Sequence, residues 1–196
     1  MSKGKAFEVG IFGDKYPAYI NNVPLREYSL WYSLIRRCHS KVYQKDKPTY
    51  VGCEVSDNFK SYTYFYEWCQ DQIGYTEQGW HLDKDILVKG NKLYSEHTCV
   101  FVPADVNALF TLSGRARGNY PLGVSLKRET GKFQAACTVG KKSKIHLGCH
   151  DTPEAAFSAY KEFKEMAVKD AAKRFQGRLD DRVYKALMNY EVEITD

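Results

Sequence analysis

The chain has 196 residues, 43% hydrophobic and 27% charged, with 29 Lys and Arg against 24 Asp and Glu for a net charge of +5. That length suits one large domain or two small ones, and without an apolar run of about 18 residues a membrane span is not expected. Ordinary Gly and Pro content and 14% aromatic residues exclude collagen-like, low-complexity and disordered chains.

The opening MSKGKAFEVG has no apolar stretch of the secretory kind, so a cytoplasmic location is expected. Residues 1–25 read as irregular, punctuated by Gly10, Gly13, Pro17 and Pro24. Residues 26–39 place Tyr28, Trp31, Leu34 and Ile35 on one face at helical spacing. Residues 41–50 read as a polar loop ending at Pro48. Residues 58–72 begin with a capping Asn and carry Phe59, Tyr62, Phe65, Tyr66 and Cys69 at helical spacing, although their Tyr and Thr content also admits a strand. Residues 79–88 alternate as a strand does, residues 89–92 make a turn, and residues 98–103 form a short apolar strand ended by Pro103. A helix follows over 104–110.

Residues 112–119, rich in Gly and Arg, read as a linker between a domain over 1–111 and a second over 120–196. In the second, residues 123–128, 132–139 and 144–148 are three strand-like segments separated by short turns. Thr152 then caps a long helix, with Pro153 at its first position and Gly177 stopping it. A last helix is expected near 179–190. The fold class is therefore α+β, closing with a three-stranded antiparallel sheet packed on a helix.

Charge divides the chain unevenly. Residues 1–110 hold 13 basic and 13 acidic residues, whereas residues 111–150 hold eight basic residues and one acidic, Glu129. So dense a basic stretch beside a neutral neighbour points to a polyanion-binding surface. The six cysteines lack CxxC spacing and read as buried thiols. A scattered structural Zn²⁺ site on Cys38, Cys53 and Cys99 is the less favoured alternative. Neither GxGxxG nor the Walker pattern occurs, so no organic cofactor is expected.

Residues Gly123-Val124-Ser125-Leu126-Lys127, Lys132-Phe133-Gln134-Ala135, Ile145-His146-Leu147-Gly148, Asp151-Thr152-Pro153-Glu154-Ala155-Ala156 and Ala159-Tyr160 follow one another in an order that resembles the plant ethylene-response-factor (apetala-two class) DNA-binding domain. The resemblance spans about 55 residues. It implies a sheet laid in the major groove of duplex DNA, with outward strand residues reading it. Carried over by position, the DNA contacts are Ser125, Lys127, Gln134, Thr138, Lys144 and His146, with Arg128 near the first turn. Arg115 and Arg117 in the linker follow the backbone or enter a minor groove. The family usually has Arg and Trp at several of these places. Ser, Lys, Thr and His here weaken bidentate guanine reading and favour phosphate contacts.

Residues 79–110 resemble the HNH nuclease motif, a ββα-metal fold, of phage homing endonucleases. More broadly, residues 28–110 look like a phage group in which this motif precedes the same DNA-binding module. Trp31, Arg37-Cys38, Pro48-Thr49-Tyr50, Gly52-Cys53, Phe59, Phe65, Trp68, Trp80, Leu82-Asp83-Lys84-Asp85-Ile86, Gly90-Asn91-Lys92, Tyr94-Ser95, Cys99, Phe101-Val102-Pro103 and Asn107 carry the likeness. The resemblance implies one Mg²⁺ or Mn²⁺ between the scissile phosphate and the leaving oxygen, held by an acid on the first strand and an Asn on the following helix. Asp83 or Asp85 matches the acid and Asn107 the helix ligand. The water-activating His expected beside the acid is Lys84 here, which is protonated at neutral pH at its reference pKa of about 10.4 and suits charge stabilisation better than proton abstraction. His81 and His97 are the candidate replacements.

The expected function is a phage-type HNH homing endonuclease acting on double-stranded DNA in the host cytoplasm, with no membrane partner. The competing expectation is a catalytically silent DNA-binding protein on a degenerate HNH fold, and a third is a module binding RNA or another acidic partner.

Overall fold

The computed structural model describes residues 6–110, 120–139 and 143–195. The fold is mixed α and β, with small sheets, and divides into two compact units, residues 1–101 and 102–196. The division falls between Phe101 and Val102, inside a strand. Residues 112–119, the expected linker, lie outside the described residues.

The first unit opens with a hairpin, β1 (Tyr19–Ile20) and β2 (Val23–Pro24), turned by Asn21 and Asn22 at φ 50° and 63°. Such a two-residue turn needs positive φ at both positions, which Asn tolerates. Helix α1 (Arg26–His39) matches its sequence prediction and buries Trp31, Leu34, Ile35 and Cys38. Where a loop was expected, α2 (Lys41–Asp46) forms, capped by the Ser40 hydroxyl, followed by a 3₁₀ turn over Pro48–Tyr50. The single helix expected over 58–72 is two helices, α3 (Asp57–Lys60) and α4 (Tyr62–Gln70). The break has a cause: the Ile11 N–H donates to the Lys60 carbonyl, and the Ile11 carbonyl accepts from the Tyr62 N–H, so the incoming chain takes the helical bonds at Ser61. Trp31, Phe59, Tyr62, Phe65 and Phe101 are fully buried, and the Trp31 indole donates to the Phe59 carbonyl at 2.9 Å.

A short strand β3 (Glu54–Val55) pairs in parallel with β5 (Leu93–Tyr94). Strand β4 (Trp80–Asp83) pairs with β6 (Val100–Pro103), within which the chain passes from the first unit to the second. The strand expected over 79–88 therefore ends at Asp83.

In the second unit, helix α5 (Ala104–Phe110) buries Val106 and Leu109. Strands β7 (Val124–Lys127), β8 (Lys132–Val139) and β9 (Ser143–His150) form an antiparallel sheet in the order β7-β8-β9. One face of the sheet packs Val124, Cys137 and Leu147 against Phe157 and Tyr160 of α6 (Pro153–Arg174). The Thr152 hydroxyl caps α6 at the Ala155 N–H. Helix α7 (Asp181–Met188) follows, and the chain then lays Val192 back on α6: its N–H donates to Glu165 and its carbonyl accepts from Lys161. One α6 residue breaks the apolar pattern. Lys164 is 3% exposed, and its ammonium donates to the Leu109 carbonyl at the end of α5.

Candidate functional site

The sheet in the second unit sorts its residues by alternation. Register sets Ser125 opposite Gln134, Lys127 opposite Lys132, Ala136 opposite His146, and Thr138 opposite Lys144. Val124, Ala135 and Cys137 fall on the other face, toward α6. The six strand residues expected to meet DNA thus share the face turned away from the helix. Ser125, Lys127, Thr138, Lys144 and His146 are exposed and Gln134 is half-buried, while Arg128 is exposed in the turn after β7. No carboxylate occurs on any of the three strands.

Alternation continues in β9 as far as Leu147. There Gly148, at φ +106°, supplies one extra residue, and register resumes with Cys149 opposite Gln134. The Gly148 N–H donates to His146 Nδ1 at 3.2 Å, which leaves Nε2 3.8 Å from the Cys149 thiol and orients the ring on the outer face. Sequence reasoning misses two residues on that face. One is Cys149, and the other is Lys132, two positions before Gln134, which the same period of two would have found. Lys132 pairs with Asp151 at 3.1 Å. Arg115 and Arg117 lie outside the described residues.

In the first unit, Asp83 stands at the end of β4. Its Oδ1 accepts from the Asp85 and Ile86 N–H groups at 2.7 and 2.8 Å, which turns the chain out of the strand. Asp83 and Asp85 therefore do not alternate along one strand. Burial pushes the Asp83 carboxyl above the usual carboxylate range, against the pull of those two N–H donors. Lys84 is buried. Its ammonium pairs with Asp85, donates to the Asn91 carbonyl, and lies 5.6 Å from the centre of the Tyr94 ring. Asn91 returns the bond, donating to the Lys84 carbonyl at 2.7 Å, so residues 84 and 91 close the loop between them. His81 is exposed, two residues before Asp83 and on the same strand face, while Leu82 between them points the other way. His97 is exposed beside Glu96. Asn107 is half-buried in the middle of α5, in the second unit.

The donor chemistry of Asp83 fits a hard cation. It is an oriented carboxylate oxygen in a largely enclosed place, and Mg²⁺ is commonly held by one or two carboxylates together with waters and substrate phosphates. Among the described residues, no group of three or more His, Cys, Asp and Glu is disposed to hold a metal. The thiols of Cys38 and Cys99 are pushed up to about 12, chiefly by burial.

Among the described residues, no helix is long and apolar enough to cross a membrane. Comparison with protein-family models, with curated proteins and with solved structures finds no match to this chain.

Proposed function

We propose that the protein is an HNH-type homing endonuclease of the phage kind, which binds duplex DNA through the outer face of β7–β9 and nicks or cuts it by metal-assisted phosphodiester hydrolysis. The observation that carries the reading is the sheet face: Ser125, Lys127, Gln134, Thr138, Lys144 and His146 stand together, away from the helix, on strands without a carboxylate. Alternate side chains of a strand reach base edges and phosphates at once. Lysines there supply a salt-dependent affinity, and Ser, Gln and Thr supply polar contacts of moderate selectivity.

For the chemistry, the succession over residues 80–110 of β4, a loop that carries the short β5, then β6 and α5 supports the nuclease reading, with Asp83 closing β4 and Asn107 within α5. Asp83 would hold Mg²⁺ or Mn²⁺, which when bound offsets charge on the phosphate and the leaving oxygen. Asp83 is oriented for this by the Asp85 and Ile86 N–H groups. His81, exposed on the face of Asp83, is the group we assign to take a proton from water.

A second reading, a DNA-binding protein without catalysis, is favoured by one feature. Lys84 stands where the HNH motif has its His, and its ammonium is already engaged by Asp85 and Asn91.

Supercoiled plasmid and phage DNA incubated with Mg²⁺, Mn²⁺ or EDTA separate the two readings, using the native chain, Asp83→Asn, Asp85→Ala and Asn107→Ala. Metal-dependent nicking that disappears in Asp83→Asn and Asn107→Ala is the expected result. Tight duplex binding with no cleavage under either metal would favour the silent binder.

A further inference from the structure

Among the described residues, the buried side-chain nitrogens that meet no hydrogen-bond partner all lie in one stretch: Arg36 Nε, Arg37 Nε and His39 Nε2, at the C-terminal end of α1. Buried polar groups are nearly always satisfied, so three orphans within four residues need a physical account. The two guanidinium groups are stacked on tyrosines. Arg36 lies 4.6 Å from the Tyr43 ring centre and Arg37 5.2 Å from that of Tyr50, and the two rings are themselves 5.8 Å apart. Arg37 also donates to the Tyr94 hydroxyl. Among the described residues neither arginine has a carboxylate partner.

Basic residues at the end of a helix are partly held by its exposed carbonyls. Here that role is filled otherwise, because the Gln44 amide donates to the carbonyls of Arg37 and Cys38. What remains is a pair of positive charges, half-buried, fixed in orientation by aromatic faces and without an anion. Stacked guanidinium groups are preorganised forks for phosphate oxygens, which an ammonium does not match. Tyr94 joins this pair to the candidate catalytic loop: Arg37 touches its hydroxyl while Lys84 lies over its ring.

We propose that Arg36 and Arg37 form a phosphate clamp of the first unit, which takes a phosphodiester of the duplex and positions the strand beside the Asp83–Lys84 turn. The inference rests on the proposed DNA-cleaving function and adds a second binding surface to the sheet. The experiment is duplex-DNA binding by the full chain, followed by anisotropy between 50 and 200 mM salt. It compares the native chain, Arg36→Gln/Arg37→Gln, Arg36→Lys/Arg37→Lys and the sheet variant Lys127→Gln/Lys144→Gln. Removing one neutralised phosphate lowers the slope of log affinity against log salt by about 0.9. The Gln pair is expected to lower it by about 0.9, additively with the sheet variant.

The Lys pair guards against a folding failure. It keeps both charges but not the fork, so it is expected to restore the slope while binding several-fold more weakly than the native chain. Binding and slope unchanged in the Gln pair, with the sheet variant weakened, overturn the clamp and leave the DNA-binding reading standing. A slope that stays low in the Lys pair also overturns the clamp, since a purely structural Arg–Tyr stack would behave so. No duplex binding by the native chain removes both readings. A loss seen with duplex RNA but not with DNA overturns the assignment to DNA.

Discussion

The sheet face yields a prediction whose size follows from its ion pairs. Among the described residues, four cations stand on or beside it: Lys127, Arg128, Lys132 and Lys144. Lys132 is tied to Asp151 at 3.1 Å, whereas the other three make no ion pair among the described residues. If each of those three neutralises one phosphate, the sheet contributes a slope of about −2.7, and a fourfold rise in salt weakens its binding about 40-fold. Lys127→Gln/Lys144→Gln leaves one of the three, a contribution of about −0.9 and a fourfold-salt effect of about 3.5-fold. Both lysines are exposed, and surface changes of this kind stay within about 0.5 kcal/mol of the native stability, so the variant should fold. The measurement is anisotropy of a labelled duplex between 50 and 200 mM salt. A slope reduced by about 1.8 is expected. A change below about 0.5, with the native fold retained, would refute the reasoning that the outer face meets the backbone.

Three further outcomes are expected. Gly123 sits at φ +77°, where a Cβ would lie 2.0 Å from the buried Tyr160 ring. Gly123→Ala should therefore cost about 2–5 kcal/mol, from left-handed strain plus overpacking, and abolish duplex binding; a native-like urea midpoint would contradict this close approach of sheet to helix. Asp83 acts as an acceptor for two backbone N–H groups, which an Asn oxygen can replace, so Asp83→Asn should lose nicking yet fold at pH 7 in EDTA at least as stably as the native chain. Its raised carboxyl also means that native stability falls as pH rises from the unfolded value of 3.8 through the folded one, a dependence absent from Asp83→Asn. Asp83→Ala, which leaves both N–H groups without that acceptor, should cost about 1–3 kcal/mol. Burial lowers the Lys164 pKa, so the unfolded chain binds the extra proton; the stability of the native chain relative to Lys164→Met should rise with pH between that lowered value and 10.5. A difference that stays flat in denaturant titrations across this window would mean that Lys164 is not enclosed.

What can be read from sequence is whatever depends on near neighbours. Helix α1 carries a clear apolar stripe and forms over the span that the stripe predicts, and the sheet face follows a period of two until Gly148 inserts its extra residue. Elements fixed by distant partners are not legible. The residues of α2 show little periodicity, and what holds them is the Ser40 cap together with Arg36 against Tyr43. The break at Ser61 depends on Ile11, fifty positions away along the chain. The parallel pair β3–β5 joins two-residue strands that no local pattern marks. In the candidate nuclease loop, alternation does not carry past Asp83, because its carboxylate accepts from the Asp85 and Ile86 N–H groups and bends the backbone that alternation takes to be straight.

The same turn explains why Lys84 is an unsuitable base. An ammonium has three donors and no acceptor, and here it is spent on the Asp85 carboxylate and the Asn91 carbonyl. Lys84 therefore fixes the loop that orients Asp83 rather than moving a proton. On the proposed function, a chain with Lys84 in the place of the motif's His takes its base from elsewhere or is catalytically silent. His81 meets the first requirement of geometry, since it is exposed and stands on the strand face of Asp83 with one residue between them. On the proposed function, the loop that Lys84 ties supports the acid, and His81 is the residue on which hydrolysis depends.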